Sequence, residues 1–357
     1  MRVALIFDLP SYSGIGRYAR NLYNGLVKRS IHVELFQMKY SNSKNDGEKR
    51  LYAPSVANSV FQVPFVKKKN IQYLLKSKQL EKFDIIHLLG SDYSLSKQYN
   101  NSVFTVHEFY YTMPHFFNGL TIHGVMADLY HNYSLIKLRT YLHHSKKIIV
   151  PSSFVANDLK YKTGFMSEVI HHWVDTNIFK LQNQSLCRER LKLSPNLKYL
   201  LNVSHSGFNK NQVTLLKIAD LLPDNIKIIH IGNTLLHKNI INVSKMSDEL
   251  YPLYFCASDQ YLHTSTNEGF GIPLLESLAS GLPVISNRRS TANEILSEIG
   301  FYVKNPYQPK EYIDKILECN SKYDEKYCKN KIYNRSLDFS EERAINNYLR
   351  IYKEFAR

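Results

Sequence analysis

Short, continuous apolar runs alternate with helical segments twice over, and this pattern constrains the fold of the chain more than any other feature. Runs at Arg2–Asp8, His32–Met38, Asp84–Leu89, Ser102–His107, Lys146–Pro151, Lys198–Ser204, Ile226–Gly232, Gln260–Thr264 and Leu282–Ser286 read as strands. Most lack a polar alternation, as strands do when both faces of a parallel sheet are covered. Between the first two, Ile15, Tyr18, Ala19, Leu22, Leu26 and Val27 recur at helical spacing and form one face. Strands alternating with helices predict right-handed β-α-β units and an α/β fold. The second set begins near Lys198, after the polar stretch LQNQSLCRERLKLSPN. A length of 357 residues suits two domains. The expectation is two Rossmann-like, doubly wound domains facing each other across a cleft at the carboxyl ends of their strands, where such sheets bind ligands.

Composition narrows the class further. A 44% hydrophobic content excludes a disordered or fibrous chain. No run approaches the ~18 apolar residues of a membrane span. The opening MRVALIFDL is broken by Asp8 and reads as a strand rather than a signal peptide. Cys187, Cys256, Cys319 and Cys328 show no paired spacing, which fits a reducing, cytoplasmic compartment. The net charge of +15 is uneven, with 22 basic against 12 acidic residues in 1–175. A basic first half suits an anionic partner, including an acidic lipid surface, although clusters such as Lys67–Lys69 also read as solvated faces.

The stretch HTSTNEGFGIPLLESLASGLPVISN, residues 263–287, carries the chemistry. A strand ends near Thr264, and a loop with Gly269 and Gly271 follows. Pro273 stands where a helix starts and Gly281 where it stops. The glycines permit close backbone approach, and a helix N-terminus offers free N–H groups, so the segment suits an anionic diphosphate. Glu268 and Glu276, taken singly, read as a loop charge and a helix-dipole partner; in this context they read as ligand contacts.

The run Glu268 to Glu276, E-G-F-G-x-P-x-x-E, followed by A-S-G-L-P-V-I, resembles the signature of the retaining GT-B glycosyltransferases of the family-four, glycogen-synthase-like group. S-G-I-G-R-Y at 13–18, T-V-H-E at 105–108, V-P-S-S-F at 150–154 and V-D-T at 174–176 resemble further segments of that family, in the same order. The resemblance implies an acceptor domain of 1–175 completed by a closing helix, 340–357, and a nucleotide-sugar domain of 176–339. It implies that Glu276 binds the ribose hydroxyls and that Glu268 contacts the donor sugar. Backbone N–H groups of the Gly269–Ile272 turn, those of Phe270, Gly271 and Ile272, would meet sugar and phosphate. Gly14 and Gly16 would let a glycine-rich loop approach the diphosphate, His107 would sit beside the sugar, and Lys210 would offset charge on the departing diphosphate. The family usually pairs that lysine with an arginine five residues earlier, where this chain has His205. An imidazole there gives no bidentate charged clamp. His172-Trp173 stands where Asn-Gly is common, and packing is the expected role of Trp173.

The implied reaction is transfer from a nucleotide-sugar, such as a UDP- or GDP-hexose, to an acceptor hydroxyl with retention, on a glycan or a lipid- or protein-linked acceptor. No Asp-x-Asp pair is present, and the 14 histidines include no H-E-x-x-H, so no metal and no cofactor are expected. Gly14-Ile15-Gly16 also fits an NAD(P)-binding oxidoreductase, but residues Leu9–Ser13 separate it from its strand. Abundant Tyr and Phe leave room for a basic, non-catalytic nucleic-acid-binding protein, yet no such motif occurs and no nucleic acid partner is expected. Acceptor specificity is expected in the variable segments Gly47–Lys69 and Tyr110–Arg139.

Overall fold

The computed structural model describes residues 1–7, 14–38, 49–51, 78–90, 97, 99–107, 135–244, 246–322 and 325–356. Most of the two segments expected to select the acceptor, together with Lys67–Lys69, lies outside the described residues. The chain forms two compact units, Met1–His171 with Glu342–Arg357, and His172–Glu341. The divisions fall after His171 and Glu341, where the sequence suggested 175 and 339.

In the first unit, β1 (Arg2–Phe7), β2 (His32–Met38), β3 (Lys49–Leu51), β4 (Ile85–Leu88), β5 (Ser102–Thr105), β6 (Lys147–Val150) and β7 (Glu168–Val169) form a sheet in the order 3-2-1-4-5-6-7. All pairs are parallel; β1 aligns with β2 from Arg2 opposite His32 to Phe7 opposite Gln37. Ala4, Ile6, Ile86, Leu88, Phe104 and Val150 pack into one core cluster. The helix Gly14–Val27 buries Tyr18, Ala19, Leu22 and Leu26 of the face read from its spacing, whereas Val27 at its end is exposed and Ile15 only partly covered. The closing helix, Glu341–Phe355, belongs to this unit from Glu342 onward and buries Ala344, Ile345, Tyr348, Ile351 and Tyr352.

The second unit repeats the scheme. Its strands β8 (Lys198–Ser204), β9 (Ile226–Gly232), β10 (Ile240–Val243), β11 (Gln260–Leu262), β12 (Val284–Asn287) and β13 (Phe301–Val303) take the order 10-9-8-11-12-13, again all parallel. Neighbours along a strand enter different clusters: Leu201 and Ile229 pack with Phe255 and Leu275, while Leu200 and Ile228 pack with Leu215 and Ile285. Both faces of the sheet are therefore covered. At roughly 1.5–3 kcal/mol for each fully buried Leu or Ile, these two layers supply much of what holds the unit together.

Four strands escape the sequence pattern, namely β3, β7, β10 and β13. Each is two to four residues long and stands at the edge of its sheet. An edge strand is covered on fewer sides, so it needs no long apolar run. In both sheets the order reverses beside the first strand, between β1 and β4 and between β8 and β11. That switch point is where ligands meet the carboxyl ends of strands in open α/β sheets.

Candidate functional site

In the second unit the site forms where β8 and β11 end. β8 delivers Ser204 and then His205, which is exposed. A short turn, Phe208–Lys210, follows and leads into the helix Gln212–Leu221. β11 delivers His263, Thr264 and Ser265, all buried, and then the loop that ends in Glu268. Hydrogen bonds join the two loops. The Thr264 hydroxyl donates to the Lys210 carbonyl at 2.9 Å, and Asn209 Nδ2 donates to the Asn267 carbonyl at 2.9 Å. The Thr266 N–H donates to the Asn209 carbonyl at 2.7 Å. Asn287, at the end of β12, donates from Nδ2 to the Ser265 carbonyl at 2.8 Å, and the Thr291 hydroxyl donates to the Phe270 carbonyl at 2.6 Å.

Across this junction Lys210 Nζ donates to Glu268 Oε1 at 2.7 Å. Two candidate residues 58 positions apart are thus in direct contact. Burial pushes the Glu268 carboxyl up, but the charge and hydrogen bond of Lys210, with His263 and Ser265, outweigh it and hold the pKa below the usual carboxylate value. His263 was not singled out from the sequence, although it lies inside the quoted stretch. Burial pushes its pKa down to about 4 despite the opposing pull of Glu268, with Lys210 adding to the fall, so the ring is neutral near pH 7. Its Nε2 is buried with no hydrogen-bond partner.

Gly271 has φ +88, a left-handed conformation, and an added Cβ would lie 3.0 Å from Leu274 Cδ1. It caps the helix Ile272–Ala279, with Pro273 in the first turn where its missing N–H costs nothing. Gly269 and Phe270 precede this cap and are buried, so the backbone of 269–272 runs directly into the helix start. The Phe270 ring stands edge-on to His172, with centroids 5.0 Å apart, and Trp173 is buried. The burial of Trp173 agrees with the packing role expected of it.

Glu276 is the fifth residue of that helix, past the first turn where a dipole partner would stand, and it is 2% exposed. The Tyr251 hydroxyl donates to Glu276 Oε2 at 2.7 Å and fixes the carboxylate. Tyr251 opens the helix Tyr251–Ala257; its role is invisible in the sequence because 25 residues separate the pair. The charges of Glu268 and Glu276 both bear on Tyr261, whose hydroxyl pKa burial raises well above 10. Both carboxylates therefore serve one neighbourhood.

The remaining candidates lie in the first unit. Gly14 and Gly16 stand in the opening turn of the helix Gly14–Val27 rather than in a loop. Among the described residues, a Cβ at Gly14 would meet nothing within 4 Å. Gly16 is buried. His107, two residues beyond β5, is 8% exposed, and Tyr18 meets its ring edge-on with centroids 4.9 Å apart. Among the described residues no group of three or more His, Cys, Asp or Glu side chains could hold a metal ion.

Residues 12–178 match the family described as Glycosyltransferase Family 4, and residues 183–335 match Glycosyl transferases group 1. The chain is 26% identical over 334 residues to the alpha-monoglucosyldiacylglycerol synthase of Streptococcus pneumoniae, covering 84% of this chain and 74% of that protein. The sucrose-phosphate synthase of Thermosynechococcus elongatus superposes with a TM-score of 0.83 at 17% identity, covering 99% of this chain and 98% of that one. HepE of Anabaena, solved with UDP and glucose, superposes with a TM-score of 0.68 at 16% identity, covering 99% of each chain. At such identities the structural likeness is one of fold.

Proposed function

The chain belongs to the family-four, group 1 type of glycosyltransferase, and from that premise we propose that it moves a hexose from a nucleoside-diphosphate sugar to an acceptor hydroxyl, with retention and without a metal. The observation that carries this reading is the Lys210–Glu268 pair at the switch point, next to a glycine-capped helix start and the buried Glu276. The Lys210 ammonium is a point charge suited to a diphosphate oxygen, and the N–H groups that open the helix Ile272–Ala279 add a second anion contact. Glu276, held by Tyr251, offers a fixed carboxylate to paired ribose hydroxyls. Glu268 stays ionised and places negative charge where the sugar ring becomes cationic.

The chemistry then balances without a protein nucleophile. The bond from the sugar's anomeric carbon to the phosphate oxygen breaks, and its electron pair leaves with the diphosphate. The acceptor oxygen attacks on the same face, and its proton passes to the departing phosphate. In the first unit, the bare backbone at Gly14 suits close approach of the diphosphate, and His107 is the residue assigned to the sugar. His205 stands where a second cation would assist, so Lys210 and the helix start carry the phosphate charge here.

For the acceptor, the name of the Streptococcus relative suggests a lipid-linked hydroxyl, while glycan acceptors remain the alternative. The basic first half and the exposed side chains of Ile136, Tyr161 and Met166 suit peripheral contact with an anionic membrane. Among the described residues no helix is long and apolar enough to cross one. Salt-sensitive flotation with anionic vesicles is the expected result; no binding would discard the membrane reading. Cys187 and Cys256 are buried thiols outside any disulfide, which suits a cytoplasmic site of action.

The test is a thermal-shift panel of UDP, GDP, ADP and their sugar conjugates, with Glu276→Ala in parallel. UDP-sugars come first, given the UDP bound by the Anabaena fold relative. One nucleotide-sugar should raise the melting temperature of the wild type by mass action and not that of the variant. Stabilisation by NAD or nucleic acid alone would overturn the reading.

A further inference from the structure

The first unit contains a buried chain of polar side chains that the proposed chemistry leaves unused. Two tyrosines of the closing helix, one turn apart, reach the sheet. The Tyr348 hydroxyl lies 2.5 Å from that of Tyr18, and the Tyr352 hydroxyl lies 2.5 Å from His87 Nδ1. His87 Nε2 is 2.7 Å from Thr105 Oγ1, which is 3.4 Å from the Tyr18 hydroxyl. Tyr348, Tyr352, His87 and Thr105 are all 0% exposed, and Tyr18 is 3% exposed. Burial pushes the His87 pKa down to about 3, with His107 adding to the fall. A neutral imidazole carries one N–H, so of its two partners one hydroxyl donates to the ring and the other accepts from it. The hydroxyl protons of Tyr352 and Thr105 are thereby set in opposite senses.

This chain ends beside a candidate site residue. The ring of Tyr18 packs edge-on against His107 at 4.9 Å and 79°, and Thr105 lies two residues before His107 on the same segment. Tyr18 also stands one turn into the helix that opens at Gly14. Its hydroxyl is held by a residue 330 positions away, on the last helix of the chain.

We propose that Tyr348 is a positioning residue for His107, acting through Tyr18, and that Tyr352 supports the same segment through His87 and Thr105. The proposal rests on the reading of His107 as a residue beside the donor sugar. Buried tyrosine hydroxyls need partners in any protein, so the decisive measurement is one that a purely structural role would leave alone. NMR of histidine-labelled protein supplies it, with the His107 ring signal identified by its loss in His107→Gln. In Tyr348→Phe, which removes one oxygen and keeps the ring, the His107 signal should move or split while that of His143, packed on Phe165, stays in place. Tyr352→Phe perturbs the network from its other end and serves as the second variant should Tyr348→Phe fold poorly.

Turnover is read as UDP release from UDP-glucose with water as acceptor. Tyr348→Phe should lower kcat about tenfold with little change in KM, the scale of one lost hydrogen bond acting in the transition state. In a His107→Gln background it should have no further effect. An unmoved His107 signal in a folded Tyr348→Phe variant would overturn the proposal, as would losses that simply multiply in the double variant. If His107→Gln leaves UDP release unchanged, the reading of His107 fails instead. Without turnover of UDP-glucose, the NMR result alone decides.

Discussion

Replacing Lys210 by methionine keeps the length of the side chain and removes its charge, which leaves Glu268 without its main partner. Breaking a buried ion pair by deleting one member costs about 3–5 kcal/mol, because the surviving charge stays desolvated. Here the side chains are 24% and 12% exposed, and His263 and Ser265 still face the carboxylate. These features place the loss near the low end, about 3 kcal/mol. For a unit of this size each kcal/mol shifts the melting temperature by roughly 2–4 °C, so Lys210→Met should melt roughly 6–12 °C below wild type. The pH dependence gives a sharper check. In the wild type the Glu268 pKa is held below its ordinary value, so the pair's contribution is complete above the unfolded carboxylate pKa and is lost as pH falls through the folded one. Without Lys210 only the upward push of burial remains strong, and the carboxyl takes up a proton at higher pH. The deficit of Lys210→Met should therefore shrink between pH 7.5 and 5.5, and Lys210→Met/Glu268→Gln should recover most of it at pH 7.5. Scanning fluorimetry across that range reads both effects. A deficit under about 1 °C, or one that is flat with pH, would refute the argument that this pair is electrostatically coupled.

Three other outcomes follow from the same geometry. Gly14→Val should fold like wild type, since an added Cβ there meets no atom of the described residues, yet lose nucleotide-sugar stabilisation in a thermal-shift assay; retained stabilisation would remove Gly14 from the donor site. His87 is held near pH 3 and His230 and His263 near 4, each chiefly by burial, so the folded state resists their protonation. Stability should be level above their unfolded pKa of about 6.5 and fall below it, by on the order of 1.4 kcal/mol per pH unit for each histidine. Urea midpoints for His263→Gln should show a shallower acid slope than wild type, and equal slopes would count against this cause. Transfer should proceed fully in excess chelator with the anomeric configuration retained; product of inverted configuration, read by NMR, would exclude same-face attack.

Much of the candidate site is legible in the sequence, because its signals are local. The turn chemistry of Gly271 and Pro273 sits within three residues, and strand–loop–helix punctuation identifies it wherever it occurs. The continuous apolar runs likewise revealed nine strands, since a strand covered on both faces must be apolar throughout. They could not reveal β3, β7, β10 and β13, whose edge positions relax that demand. The family resemblance, not the apolar pattern, put Gly14 and Gly16 in a glycine-rich loop, where the structure has the first turn of a helix.

The sequence by itself determined the α/β class and the doubling of the unit, and its motifs nominated residues for phosphate and sugar chemistry. Only the tertiary structure decided who meets whom. Lys210 and Glu268 touch because β8 and β11 are neighbours in a sheet whose strand order is not chain order. Tyr251 reaches Glu276 because two helices pack together, and Tyr348 reaches Tyr18 because the final helix joins the first unit. Hydrophobic period and turn preference act over a few residues, whereas these pairings are set by the order of strands and the docking of helices. No local pattern encodes that order, so the electrostatics of the site became visible only once the chain was folded.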